Sequence, residues 1–220
     1  MEIIKIGSRS TLFRYFVKEW SCGMNMHLIT ATHRNYLIDT GCGSVDAGFV
    51  KEYLKGDDKP LIVINTHYHW DHIWGNHCFD DTVIIANKRS IELIKDSWDI
   101  CLEDNKHLIK GEVRLKMPNL TFDDEIYFED DKIRIFYTPG HTPDGISIYD
   151  DLDKVLNAGD NIGDTMDAIL PVIEDMADFK STIKTYEKLD IDHIASGHNI
   201  PLDRSILHMI KEELLKNERI

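Results

Sequence analysis

A chain of 220 residues with 42% hydrophobic content can bury one sizeable core but has no room for a second large domain, so residues 1–220 are expected to form a single domain. The formal net charge of -14 and a pI near 5.1 argue against nucleic acid and anionic membrane surfaces as partners. Cys22, Cys42, Cys78 and Cys101 show no close spacing and read as free thiols; with no leader-like start and no apolar run of membrane-spanning length, the expected location is cytoplasmic.

Apolar and polar residues alternate over residues 12–17, 26–32 and 36–39, which predicts an opening antiparallel meander. Its last strand delivers Asp39 to a turn made by Gly41 and Gly43. Ser44 suits a helix N-cap, with Val45, Phe49, Tyr53 and Leu54 as the apolar stripe and Gly56 just past the end. The run Leu61–Ile64 then completes a β-α-β step.

Next comes His67-Tyr68-His69-Trp70-Asp71-His72. Three imidazoles and a carboxylate within six residues cannot share one strand face or one helix stripe, so a tight loop is expected, in which all four converge. Neutral imidazole with carboxylate is the ligand mix accepted by zinc, iron and manganese.

Residues 73–76 should open a short helix, residues 82–86 form a strand, and the polar stretch 88–110 reads as helical. In that stretch Trp98, Cys101 and His107 fit helix packing better than a substrate wall. Strands return over residues 120–160, with Asp123-Asp124 and Asp130-Asp131 as solvated turns. Residues 161–172 form a Gly- and Pro-bearing loop from which Met166, Asp167 and Ile169 either overhang a site or make an ordinary surface connection. Two helices finish the chain, striped by Met176, Phe179, Ile183 and Tyr186 and by Ile206, Met209, Ile210 and Leu214, with a strand at 193–195 between them.

Four short apolar runs end in a small residue and then a candidate ligand. Leu61–Ile64 leads to His67, Ile133–Tyr137 leads through Thr138-Pro139-Gly140 to His141, residues 155–158 lead through Gly159 to Asp160, and residues 194–195 lead through Ser196-Gly197 to His198. They read as buried strands that all deliver ligands to one sheet edge, where glycine lets the backbone approach a crowded centre.

With Asp39 in Ile38-Asp39-Thr40-Gly41, these segments resemble, in order and across nearly the whole chain, the metallo-β-lactamase superfamily, in the hydrolase branch that includes glyoxalase II. The resemblance implies an α/β fold, a four-layer αββα sandwich. It implies two divalent metal ions, zinc first with iron or manganese as alternatives. His67, His69 and His141 would hold one ion, Asp71, His72 and His198 the other, and Asp160 would bridge both. Asp39 would orient a ligand histidine through its far ring nitrogen, and Asp71 would be the catalytic proton shuttle.

The implied activity is hydrolysis of a small ester, thioester or lactone by a metal-bridging hydroxide. The alternatives are a persulfide dioxygenase-like enzyme with one iron or a diiron redox enzyme, and a non-catalytic metal-binding domain; the complete ligand set counts against the first and the last, and His69 in place of an acidic residue, without a flavodoxin domain, counts against the diiron enzyme. Tyr68 and Trp70 either shape the mouth or pack beneath the loop. Among the other histidines His27 and His193 are the candidate exceptions to a plain surface or core role. The expected partner is a small-molecule substrate, with no nucleic acid and no membrane, and a homodimer is left open. A glutathione thioester is disfavoured because only about one helix follows His198, and a β-lactam is the least favoured hydrolytic substrate.

Overall fold

The computed structural model describes residues 1–217. The meander is present with one strand more than the alternation suggested: β1 (Glu2–Ile6), β2 (Ser10–Val17), β3 (Cys22–Thr30) and β4 (Asn35–Ile38) pair antiparallel in chain order. Beyond α1 (Ser44–Tyr53), the strands β5 (Leu61–Ile64), β6 (Val83–Asn87) and β7 (Leu120–Phe122) add in parallel and complete a seven-stranded sheet. Their connections hold α2 (Trp70–Ile73) and α3 (Ser90–Asp104).

The turn at Asp123-Asp124 carries the chain into a second sheet. There β8 (Glu125–Phe128), β9 (Ile133–Tyr137), β10 (Ile146–Asp150) and β11 (Val155–Asn157) pair antiparallel. After α4 (Met176–Tyr186), β12 (His193–Ala195) joins β11 in parallel, and α5 (Ser205–Asn217) follows.

Period-two alternation sorts the strand side chains into layers. Tyr36, Ile38, Ile62, Ile64 and Ile85 of the first sheet meet Ile133, Ile135, Ile146 and Ile148 of the second in the central core. Leu37, Val63 and Ile84 point the other way, onto Ala47 and Val50 of α1. Phe136, Tyr149 and Leu156 pack outward against Phe179 and Ile183 of α4 and Ile206 and Ile210 of α5. These are the four αββα layers. All four cysteines are free, and among the described residues no helix is long and apolar enough to cross a membrane.

Three local expectations are corrected. First, α1 turns inward a different face from the one its apolar stripe suggested: Val45, Phe49 and Tyr53 are 49%, 48% and 39% exposed, whereas Asp46, Ala47 and Val50 are buried. The Asp46 carboxylate accepts from the Tyr15 hydroxyl at 2.7 Å and the Cys42 amide at 2.9 Å, and this buried pairing sets the helix rotation. Gly43 is the N-cap, and the Ser44 hydroxyl accepts instead from the Glu112 amide. Second, Asp131 is fully buried, because it accepts from the His33 amide, Arg34 and the Tyr36 hydroxyl. Third, the helical turn after the ligand loop begins at Trp70, inside the loop, so Asp71 and His72 lie on α2.

Candidate metal centre

β9 and β11 both run antiparallel to β10, and β12 runs parallel to β11, so the three point the same way. The segments beyond their ends carry His141, Asp160 and His198, while β5 of the other sheet leads to His67. The convergence therefore lies along the edges of both sheets, where the sequence pattern suggested one. All seven predicted side chains are brought together in two groups, His67, His69, His141 and Asp160, and Asp71, His72 and His198; in each group the ligand atoms lie within 4.8 Å of one another.

Hydrogen bonds behind the rings fix which nitrogen faces the centre. His72 Nδ1 donates to Asp39 Oδ2 at 2.8 Å, His198 Nδ1 to the Gly23 carbonyl at 2.9 Å and His141 Nδ1 to the Val172 carbonyl at 2.8 Å. His67 Nδ1 donates to Thr66 Oγ1 at 3.0 Å, which passes its own proton to Asp39 Oδ2 at 2.8 Å. In each ring this turns Nε2 inward, where its lone pair can coordinate once the ring is neutral. Asp39 thus steadies a ring in each group, one directly and one through Thr66. It sits at φ 61, a left-handed conformation that aspartate tolerates better than most residues.

The inward atoms crowd. His67 Nε2 and His141 Nε2 lie 3.0 and 3.2 Å from His69 Nδ1. Asp160 Oδ2 is 3.2 Å from His198 Nε2, 3.3 Å from His72 Nε2, 3.7 Å from His67 Nε2 and 3.8 Å from His141 Nε2. Asp71 Oδ2 lies 3.4 Å from His198 Nε2 and 3.5 Å from His72 Nε2. Such closeness needs a backbone without a Cβ: at Gly197 one would collide with Asp160 Oδ1 and come within 2.7 Å of His72 Cε1.

Electrostatics differ across the centre. Burial pushes His67 well below the usual imidazole range and His69 down to about 4, which keeps both neutral and able to coordinate. For His72 burial works in the same direction, but Asp160, Asp71 and Asp39 outweigh it and hold the ring well above its usual value. His198 is likewise raised against its burial, by Asp160 foremost. Asp160 is buried, yet His72, His198 and His67 overcome that burial and keep its carboxyl well below the ordinary range.

A divalent cation fits this donor set. His72 Nε2 and Asp160 Oδ1 are buried without any hydrogen-bond partner, and buried polar atoms are rarely left so. His67 Nε2 and His141 Nε2 both turn their lone pairs to His69 Nδ1, where a single ring proton could serve only one of them, whereas a shared cation would satisfy all three nitrogens.

The surroundings hold residues that the sequence did not single out. Trp20, Cys22, Asn105 and Asp164 join Trp70, Asp71 and His198 around a cavity of about 280 Å³. Trp20 comes from the turn between β2 and β3, where no motif marks it. Asp164 lies in the loop that was singled out, but Met166 and Asp167 point to solvent and Ile169 packs on the α4–α5 core. Trp70 therefore borders the mouth while also packing on the buried Ile73, Trp74 and Ile94, and Tyr68 packs on that cluster without lining the cavity. His27 is a core residue, its pKa driven down to about 3 by burial, and His193 is exposed; neither joins the centre.

The two-sheet sandwich and its edge of histidines and aspartates define a metal-binding protein of the αββα class. The chain belongs to the metallo-beta-lactamase superfamily, whose sequence profile matches residues 22–198. The beta-lactamase-like protein 2 homolog of Caenorhabditis elegans is 24% identical over 202 residues, 90% of this chain and 63% of that protein. The acyl-coenzyme A thioesterase MBLAC2 of Homo sapiens is 23% identical over 163 residues, 64% of this chain and 58% of that protein. The chain thus spans about three fifths of the length of these curated relatives. Among solved structures, TMB-1 superposes with a TM-score of 0.74 at 19% identity, covering 99% of this chain and 98% of its own. A metallo beta lactamase from Hirschia baltica gives 0.70 at 18%, covering 94% of each chain. Likeness at this identity speaks for the fold.

Proposed function

We propose that the protein is a dinuclear metal-dependent hydrolase of a small ester, thioester or lactone, with the thioester favoured by the relatives named acyl-coenzyme A thioesterase. The observation that carries this reading is the pair of ligand groups sharing Asp160 beside an open cavity. In this reading His67, His69 and His141 hold one ion, Asp71, His72 and His198 the other, and Asp160 reaches both. Two divalent ions, zinc in the first instance, would activate water near neutral pH and polarise the substrate carbonyl.

The chain's own residues do the rest. Asp39, Thr66 and the Gly23 and Val172 carbonyls lock the ring orientations, so the ligands need little reorganisation. Asp71 is 8% exposed at the cavity wall, where it can take a proton from the attacking water and return it to the leaving group. The substrate remains a small molecule entering through that cavity.

Metal content per chain, measured by mass spectrometry on protein purified without added metal, tests the reading together with an ester and thioester screen before and after chelation. About two zinc or manganese ions, with turnover lost on chelation and restored by the ion, are expected. A single iron would sink the dinuclear assignment, and two irons without hydrolysis would redirect it to redox chemistry.

A further inference from the structure

The cavity beside Asp71 and His198 has a composition that hydrolysis alone does not call for. Its wall contains two indoles, Trp20 and Trp70, and two carboxylates, Asp71 and Asp164, and among the described residues no lysine or arginine lines it. Trp20 and Trp70 meet edge to face with centroids 5.4 Å apart. Trp70 lies in turn against the fully buried Trp74 at 4.3 Å, and Trp20 against the His198 ring at 5.7 Å. The aromatic wall is therefore braced from behind and touches a residue of the centre.

Indole faces and carboxylates attract the same thing, a positively charged group with some apolar surface. An anionic group would meet Asp71 and Asp164 with no lysine or arginine to receive it, and the one histidine of the wall, His198, is already turned onto Asp71 and Asp160 at 3.4 and 3.2 Å. The ions themselves would not reverse this preference: Asp39, Asp71, Asp160 and Asp164 lie in or directly around the centre and offset the charge of two divalent cations. The acidity of the whole chain favours the approach of a cation further.

We propose that this cavity binds an organic ammonium group, and that the substrate carries such a group close to the bond that is cleaved. The second half rests on the hydrolase reading; the first does not.

Binding is tested on the metal-loaded protein by tryptophan fluorescence, titrating tetramethylammonium chloride against uncharged tert-butanol. A saturable change with the cation is expected, weaker with the alcohol, and about tenfold weaker in Kd in Trp20→Leu and in Asp164→Asn. Equal responses to both probes, or a response that neither variant alters, overturns the proposal. Acetylthiocholine and its uncharged carbon isostere, 3,3-dimethylbutyl thioacetate, test the substrate. A kcat/KM about tenfold higher for the charged thioester, collapsing in Asp164→Asn, is expected. Saturable cation binding with both thioesters left intact would support the site while the thioesterase reading fails. Equal kcat/KM for the two esters without cation binding would uphold hydrolysis and discard the ammonium site.

Discussion

The two ends of the β9–β10 hairpin both bury acidic side chains, and they treat them in opposite ways. At the end away from the centre, Asp131 accepts from the His33 amide at 2.8 Å, the Tyr36 hydroxyl at 2.9 Å and Arg34 at 3.0 Å. There too, Asp150 accepts from Arg9 Nε at 2.6 Å and from the Leu152 and Asp153 amides. At the other end Asp160 Oδ1 and His72 Nε2 make no hydrogen bond, and four histidines crowd one carboxylate oxygen. A buried carboxylate with its hydrogen bonds complete holds the fold together, whereas one left incomplete among lone-pair donors is built for something the chain itself does not supply.

The sharpest way to break this comparison is to remove one carboxylate from each end. Asp160→Ala should lower metal content and reduce turnover by more than about a thousandfold, with the melting temperature within a few degrees of the parent. Asp131→Ala should do the reverse, costing roughly 3 kcal/mol of stability while turnover per folded molecule holds. Metal analysis, calorimetry and kinetics on the two variants decide it. If both lose stability alike, the distinction between the ends is wrong.

A smaller but more local effect is expected at Gly197. The added methyl of Gly197→Ala collides with Asp160 and crowds His72, so metal affinity should fall by about 100-fold while the sheets stay intact. Asp39→Asn should cost less, about tenfold in metal affinity: the amide oxygen can still accept hydrogen bonds, but the side chain no longer supplies a charge behind both His72 and Thr66. Thr66→Val serves as the partner variant, because it loosens His67 alone. Competitive metal titration with a chromophoric chelator separates the three.

The candidate ligands were legible because ligand chemistry is written in residue identity at short spacing, as in residues 67–72, and the strands that deliver them show as short apolar runs, whereas the four layers and the division of the ligands into two groups came from the family resemblance and not from periodicity. What was hidden depended on contacts between distant segments. The face of α1 is set by Asp46 meeting Tyr15 on another element, against a helix pattern that pointed elsewhere. His198 is oriented by the Gly23 carbonyl, 175 residues away, and His141 by that of Val172, and a carbonyl leaves no mark in a sequence. Trp20 reaches the cavity only because the β2–β3 turn folds over the centre.

The mildest test returns to Asp131 and uses pH. Burial opposes its charge, but the hydrogen bonds from the His33 amide, Tyr36 and Arg34 prevail and hold its carboxyl below the ordinary value. A carboxyl with a lowered folded pKa contributes its full stabilisation above its unfolded pKa of about 3.9, and loses it as pH falls through the lower folded value. Asp131→Asn keeps the shape and two acceptor lone pairs but not the charge. The variant should therefore be less stable than the parent at pH 7 by about 1–2 kcal/mol, a gap that narrows as the pH drops below about 4. Urea midpoints measured across that range check this. The other carboxylates titrate alike in both proteins and cancel, so a gap independent of pH would mean that Asp131 contributes by shape alone and that its charge does not hold this end of the hairpin.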